Sequence, residues 1–525
     1  MMKFCRDDVF FVLIAFFALS VFTFFAFQNV DIQFLGLTSG DELPQFKQLN
    51  NVLSGYLGLD LEQMFRIEFY NYGYFYYLLN VLVAAPFNLL EKYEWAIFAP
   101  RFLNGVFSVL NLWMVYKISK LYLSKRQSLL LVLFCLLIPG FWHYGYIFKP
   151  DVFQAFFVLC SLYFLCLDRF AYKKNFYLSV LFLGFGVGLA KFQAIMFLPL
   201  LCLYVFNPFF SKPSFKALWR ACYQSCLVVF SVLFLWIVTN PYLLHPTGMK
   251  VWWNMFAFNM HSNATNHGAY TDVGLLEKFQ MFGQVFLSPI AVGAVGIWGS
   301  LMCFKRQIND VWLYVFLTFI ISLSYLLVFV NKAWGIYYIS TIFLCVILFI
   351  PILHQYHFFV IVVFCLQIAN LFYFHSFSYF IKPSWVIDKQ TKRVSDELVG
   401  ALGKILPQGE RGDISIYTDI PSFEYQRLNL SYKNIYQVFG SLFPWNLDKA
   451  EFSKKYPYKN PSKYFKQWDF IVLSKGFVRN NEKIMQRDKD AELSIATLNN
   501  LRQYGYTKLV ENENFWIYQY KGSKE

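Results

Sequence analysis

The run "YFYYLLNVLVAAPFNLL", Tyr74–Leu90, decides how the rest of the chain is laid out. Either it crosses a bilayer or it lies along the surface. That choice sets the side of every loop that follows. The positive-inside rule arbitrates, because short cytoplasmic loops carry an excess of Lys and Arg. With the N-terminus in the cytoplasm and Tyr74–Leu90 lying in the interface, the basic loops share one side. These are Lys117, Lys120, Lys125 and Arg126; Arg169, Lys173 and Lys174; Lys212, Lys216 and Arg220; and Lys305 and Arg306. If the run crosses instead, all of them except the N-terminus land outside. The run is therefore read as an interfacial or re-entrant helix.

Outward from that run, apolar stretches near the roughly 20 residues needed to span a bilayer recur. They cover 9–28, 96–116, 128–147, 151–167, 176–190, 192–207, 221–239, 281–303, 311–330, 335–352 and 357–374. Composition agrees: of 525 residues, 57% are hydrophobic, 22% aromatic and only 15% charged. A soluble domain carries about 25% charged residues. The predicted class is an α-helical polytopic membrane protein with about eleven spans plus one interfacial helix. Val9–Phe27, preceded by Lys3 and Arg6, reads as an uncleaved first helix, since no clear small-x-small site follows it. The net charge of +14 sets topology rather than pointing to nucleic acid, for which there is no motif. The ten cysteines form no C-x-x-C pair, which argues against a zinc knuckle or a disulfide scaffold.

Three regions fall on the outer side: 29–95, 240–280 and 376–525. The last changes character. "DISIYTD" (Asp413–Asp419) and "DFIVLSK" (Asp469–Lys475) read as short buried strands. "KDAELSIATLNNLRQYG" (Lys489–Gly505) reads as an amphipathic helix ending at Gly505, and Thr507–Lys521 as a terminal hairpin. The predicted organisation is a transmembrane domain over 1–375, with 29–95 as its first outer loop, and a small outer-face α/β domain over 376–525. No G-x-G-x-x-G or P-loop marks a nucleotide binder.

Ionisable residues in or beside a membrane are costly and point to function. "TSGDELPQF" (Thr38–Phe46) sets Asp41 and Glu42 beyond the first span, where a carboxylate can act as general base. The same letters suit a capped helix start. "YGYIFKPD" (Tyr144–Asp151) places Lys149 and Asp151 at the outer start of a span. Lys149 there suits a phosphate, or a salt-bridged cap. "GFGVGLAKFQAI" (Gly184–Ile195) buries Lys191 between two apolar runs, where it needs an anion from a lipid phosphate or a carboxylate; the glycines permit a tight hairpin. "VNKAWGIYYIS" (Val330–Ser340) puts Lys332 among aromatics, the pattern of an interfacial anchor. Arg101, Arg66, Glu68, His143 and His261 complete the outer charges, together with His267 in "HSNATNHGAY" (His261–Tyr270). No spacing of His and carboxylate ligands indicates a metal, although a divalent cofactor stays open. In "RIEFYNYGYFYYLLN" (Arg66–Asn80), aromatics such as Tyr72 and Tyr74 suit either headgroup depth or the face of a sugar.

Taken in order, these segments resemble the GT-C glycosyltransferases, in the branch of protein O-mannosyltransferases and bacterial aminoarabinose–lipid A transferases. "APRFLNGVFSVL" (Ala99–Leu110) is similar to that branch's arginine-led second span. "FKPDVFQAFFVLCSLYFL" (Phe148–Leu165) looks like its Asp-led span, and "GFGVGLAKFQAIMFLPLL" (Gly184–Leu201) like its hairpin. "NPYLLHP" (Asn240–Pro246) and "NKAWGIYYISTIFLCVIL" (Asn331–Leu348) resemble its later outer loop and following span. The resemblance implies an inverting transferase in an inner membrane. It would use a polyprenyl-phosphate sugar donor and a lipid, glycan or protein acceptor on the outer face. It further implies Asp41 as general base supported by Glu42, with the donor phosphate held among Arg101, Lys149, Lys191 and Lys332. Two departures stand out. "YNYGYF" (Tyr70–Phe75) occupies the place of a His/Lys-Pro-Pro motif, and Lys332 replaces an arginine, keeping the charge but not the bidentate fork. The competing class is a transporter or flippase, which inverted repeats with broken helices would favour.

Overall fold

The computed structural model describes residues 6–35, 42–67, 72–264, 274–304, 310–331, 334–356, 358–377, 380, 389–407, 413–418, 420, 422–437, 449–455, 467–475 and 501–522. The chain divides into two compact units. One holds Met1–Gln28 and Gln45–Ser384, the other Asn29–Pro44 and Trp385–Glu525.

The helices before residue 384 run α1 (Arg6–Phe27), α2 (Glu42–Gly58), α3 (Leu61–Phe65), α4 (Tyr74–Leu89), α5 (Tyr93–Ser119), α6 (Lys125–Leu136), α7 (Pro139–Gly145), α8 (Asp151–Asp168), α9 (Lys174–Phe185), α10 (Leu198–Ser211), α11 (Phe215–Val238), α12 (Gly248–Ala264), α13 (Leu275–Val285), α14 (Pro289–Phe304), α15 (Val311–Ser324), α16 (Ile339–Gln355) and α17 (Phe359–Tyr373). Each segment read as a span is helical over most of its described part. Among the described residues six stretches are long and apolar enough to cross a membrane, and eight if each of two bent pairs counts as one. The chain is an integral multi-pass membrane protein. The stretch Gly335–Gln355 is 94% buried and sits at the centre of the bundle, whereas Phe215–Val238 is 22% buried and presents Phe215, Trp219, Phe230 and Phe234 outward.

Two expected straight spans are bent. The pair α6/α7 turns by 69° and α13/α14 by 103°. Pro139 and Pro289 open the second helix of each pair, and a proline has no N–H to continue the preceding ladder. The carbonyls and N–H groups released at both breaks meet one side chain. Gln367 of α17 donates from Nε2 to Leu137 O (3.1 Å) and Phe286 O (2.8 Å), and its Oε1 accepts from Ser288 N (3.0 Å). Gln367→Leu keeps the volume and strands three buried backbone groups, each at about 1–3 kcal/mol. We expect it to lower the unfolding temperature of the purified protein sharply, while Ile368→Leu on the exposed side leaves it unchanged.

In the other unit the described strands are β1 (Ile416–Thr418), β2 (Ile435–Gln437), β3 (Phe470–Ser474), β4 (Tyr506–Glu511) and β5 (Phe515–Tyr520). The sheet order is β2-β1-β3-β5-β4. β1 pairs in parallel with β2 and β3, while β5 runs antiparallel to β3 and β4. Helix α18 (Lys389–Ile405) puts Leu398, Val399 and Leu402 into one core with Ile416, Ile435, Val472 and Ile517. Tyr417, Ile471, Leu473 and Tyr506 form a second core with Trp468. The two sets alternate along β1 and β3, as a pleated strand requires. Both predicted strands and the terminal hairpin are present; β2 and α18 are additional. Of the predicted helix, Leu501–Tyr504 is a 3₁₀ turn ending at Gly505, whose φ of +84° suits glycine. The residues before Leu501 lie outside the described set. Asn29–Pro44 counts with this unit, where Gln33 Oε1 accepts from Gln426 N at 2.9 Å.

Candidate functional site

The site is built where three helices stop early. The first stop lies between α7 and α8. Its backbone is not helical, so its carbonyls need other partners. They come from a polar row on α5. Asn104 Nδ2 donates to Ile147 O and to Lys149 O (3.0 Å), Ser108 Oγ to Gly145 O (2.7 Å), and Asn111 Nδ2 to Val152 O (2.9 Å). Polar residues at i, i+4 and i+7 on a buried helix face thus hold an irregular segment in place. The segment presents Lys149 and starts α8 with Asp151.

The second stop follows α9. The chain makes a π-turn over Gly186–Ala190, then Lys191 is extended, with φ −156° and ψ 129°, before a 3₁₀ turn over Phe192–Phe197. Gly186 and Gly188, in the stretch where a tight hairpin was read as permitted, lie in this π-turn. Lys191 pairs as an antiparallel bridge with Tyr72, and Gly73 N donates to Ala190 O at 2.7 Å. A Cβ on Gly73 would stand 2.3 Å from the carbonyl of Leu189, so the two backbones can lie this close only with glycine there.

Lys191 Nζ meets Asp151 Oδ1 at 2.8 Å, with the two residues only 7% and 4% exposed. The ammonium also lies 5.4 Å from the ring centre of Tyr72 and 4.8 Å from that of Tyr337, in cation–π range. Among the described residues the second oxygen of Asp151 finds no hydrogen-bond donor, and it is buried. A second buried ammonium is close by. Lys149 Nζ lies 5.5 Å from the Trp334 ring, and Trp334 stacks on Tyr337 with centroids 6.1 Å apart. Both lysines therefore rest on neighbouring rings at the start of α16.

The third stop is the end of α11, where Asn240 accepts from Tyr74 N at 2.9 Å. The Tyr74 phenol pairs with that of Tyr56, and Tyr77 donates to Gln45. Arg101, 1% exposed, donates to Gln28 O at 2.8 Å and closes the C-terminal end of α1. Glu42 is the buried first residue of α2. Arg66 pairs with Glu62 at 3.1 Å, one helical turn away. His143 lies in α7 with its ring against Tyr144, and His261 is exposed near the end of α12. Asp41, Glu68, Lys332 and His267 lie outside the described residues. No group of three metal-ligating side chains occurs among the described residues.

The opposite end of the bundle gathers the basic loops. Asp8 pairs with Lys120 (3.0 Å) and Lys125 (3.4 Å). Asp168 accepts from Tyr204 Oη (2.7 Å) and from the N–H groups of Tyr172 and Lys173. Asp151 and Asp168 are the first and last of the 18 residues of α8, about 26 Å apart at 1.5 Å per residue. The predicted pairing of Lys191 with an anion is met by Asp151, and Lys149 joins them through the aromatic stack. Sequence reasoning took Trp334 and Tyr337 for an interfacial anchor and passed over Asn104 and Asn240. The first two were visible in the quoted stretch. The asparagines gave no signal, because a buried amide is recognised only by the backbone it serves.

Comparison with known proteins follows this geometry. A family model described as dolichyl-phosphate-mannose-protein mannosyltransferase matches residues 77–236, which include Lys149, Asp151 and Lys191. No curated protein matches the chain. The structure of ArnT from Cupriavidus metallidurans in the apo state is similar at 11% identity and a TM-score of 0.54, over 97% of both chains. The same protein bound to undecaprenyl phosphate is similar at 12% identity, with the same TM-score and coverage. The oligosaccharyltransferase of Archaeoglobus fulgidus is similar at 11% identity and a TM-score of 0.48, over 94% of this chain and 73% of its own. The GT-C resemblance drawn from the sequence thus holds, and the chain shares its fold with ArnT.

Proposed function

We propose that this chain is a membrane glycosyltransferase that takes a sugar from a polyprenyl-phosphate donor at the bundle end carrying Asp151 and Lys191. One observation carries the proposal. Two buried ammonium groups, Lys149 and Lys191, share one aromatic stack, with a single described carboxylate between the elements that hold them. Two ammonium groups gathered at one buried place make the local potential positive, which favours an anionic ligand there. The bound lipid phosphate of the ArnT structure supports this ligand class.

In this reading the bundle end with the basic loops faces the cytoplasm and the site faces the outer surface. Asp41 takes the proton from an acceptor hydroxyl or amine. The freed lone pair attacks the anomeric carbon, the bond from that carbon to the phosphate oxygen breaks, and the configuration inverts. The negative charge arriving on the departing polyprenyl phosphate is stabilised by Lys191 and Lys149, with Lys332 as a further candidate. Fixed cations aimed at developing charge are usually the largest contribution to such a rate. Tyr72, Tyr337 and Trp334 hold the lysines and present faces to the sugar. Arg101 acts at one remove by ending α1, and Tyr74 through Asn240. The acceptor is a lipid, glycan or protein reached from the outer side; Glu42 supports Asp41, and His267 is assigned to substrate binding.

The test is transfer from a polyprenyl-phosphate sugar in reconstituted membranes, comparing the parent with Asp41→Asn and Lys191→Ala. Loss of transfer in both is expected. Full activity in both overturns the assignment.

A further inference from the structure

We infer that Asn240 is a positioning residue for the donor-phosphate site, holding Lys191 in its extended setting from the end of α11. This rests on the transferase reading of that site. The side chain bonds the chain two residues after one partner of the short bridge, Tyr72, and three residues before the other, Lys191. Its Oδ1 accepts from Tyr74 N at 2.9 Å, and its Nδ2 donates to Gly188 O (2.9 Å) and Trp236 O (2.8 Å). One amide thus ties α4, the π-turn and α11 together. An uncharged amide accepts through its oxygen and donates two hydrogen bonds through its nitrogen, whereas a hydroxyl has a single donor. Pro241 keeps Asn240 out of the helical region, at φ −124° and ψ 79°. The packing leaves no slack, because a Cβ on Gly188 would stand 2.3 Å from Thr239 Oγ1. If the amide is lost, the π-turn keeps its bond from Gly73 N to Ala190 O but loses its hydrogen bond to Asn240 at the end of α11, which loosens the setting of Lys191 against the Tyr72 and Tyr337 rings.

Asn240→Asp is the sharpest probe. It keeps the acceptor for Tyr74 N but sets a carboxylate against the Gly188 and Trp236 carbonyls. Binding of undecaprenyl phosphate to the full-length protein in nanodiscs is measured for the parent, K191A, N240D and the double variant. Donor KM and acceptor KM are measured in the same preparations. N240D is expected to weaken lipid-phosphate binding and raise donor KM by about tenfold, a change of the size a displaced hydrogen-bonded charge produces. Acceptor KM stays at the parent value. The double variant binds no more weakly than K191A, because both changes remove the same contact. Parental binding by N240D, or a loss that adds fully to that of K191A, overturns the role of Asn240 and leaves the transferase reading intact. A parent protein that binds no polyprenyl phosphate overturns both. Should N240D not fold, Asn240→Ser, whose hydroxyl accepts and donates over a shorter reach, carries the same comparison.

Discussion

Lys191→Ala is expected to lower transfer by about 10²- to 10³-fold, the usual effect of removing one group aimed at developing charge. It is also expected to lower stability, because Asp151 stays buried without its cation. Breaking one half of a buried pair typically costs about 3–5 kcal/mol. The two losses have different origins and can be separated. Asp151→Asn combined with Lys191→Gln replaces the pair by neutral hydrogen-bonding groups of similar size, and this double variant is expected to regain most of the unfolding temperature. If the pair is only a structural bridge, transfer returns with stability. If Lys191 holds the donor phosphate, the double variant folds and stays inactive. Thermal unfolding and transfer measured on the same preparations decide between them.

Asp41→Asn is expected to reduce turnover by about 10²- to 10⁴-fold, the range for a lost general base. Asparagine keeps the shape of aspartate and cannot take a proton. Binding of a polyprenyl phosphate should stay unchanged, which distinguishes this loss from that of Lys191→Ala. A carboxylate base works only when ionised, so the parent's kcat/KM should fall as the pH drops through its titration. That acid limb should vanish in the variant. Retention of both the rate and the limb would move the base elsewhere, with Glu42 next to be changed.

Much of this arrangement was legible in the chain. A run such as Val9–Phe27 has one stable setting in a bilayer, because every backbone group must bond within the segment. The positive-inside reading puts basic loops such as Lys117–Arg126 on one side by charge alone. In the structure Asp8 draws Lys120 and Lys125 together at that end. Lys191 was legible for the same reason, since an ammonium among apolar residues demands a partner. The breaks at Pro139 and Pro289 were less legible, because apolar length does not register a bend. Strand β2 is three residues long and carries little pattern of its own.

By itself the sequence determined that the chain crosses a membrane many times, that its last part is a mixed α/β domain, and that a few charges survive where charge is expensive. These are properties of single segments, set by hydrophobicity and by the cost of burying polar groups. Only the tertiary structure decided which charges meet. Asp151 and Lys191 lie 40 residues apart in sequence, and Lys191 and Tyr337 are farther apart still. What joins them is helix packing together with side chains that satisfy stray backbone groups: Asn104 at one break, Asn240 at another and Gln367 at the bends. Amides in a membrane interior do not announce a role in sequence, because their partners are carbonyls and N–H groups that become unpaired only once the helices have been broken.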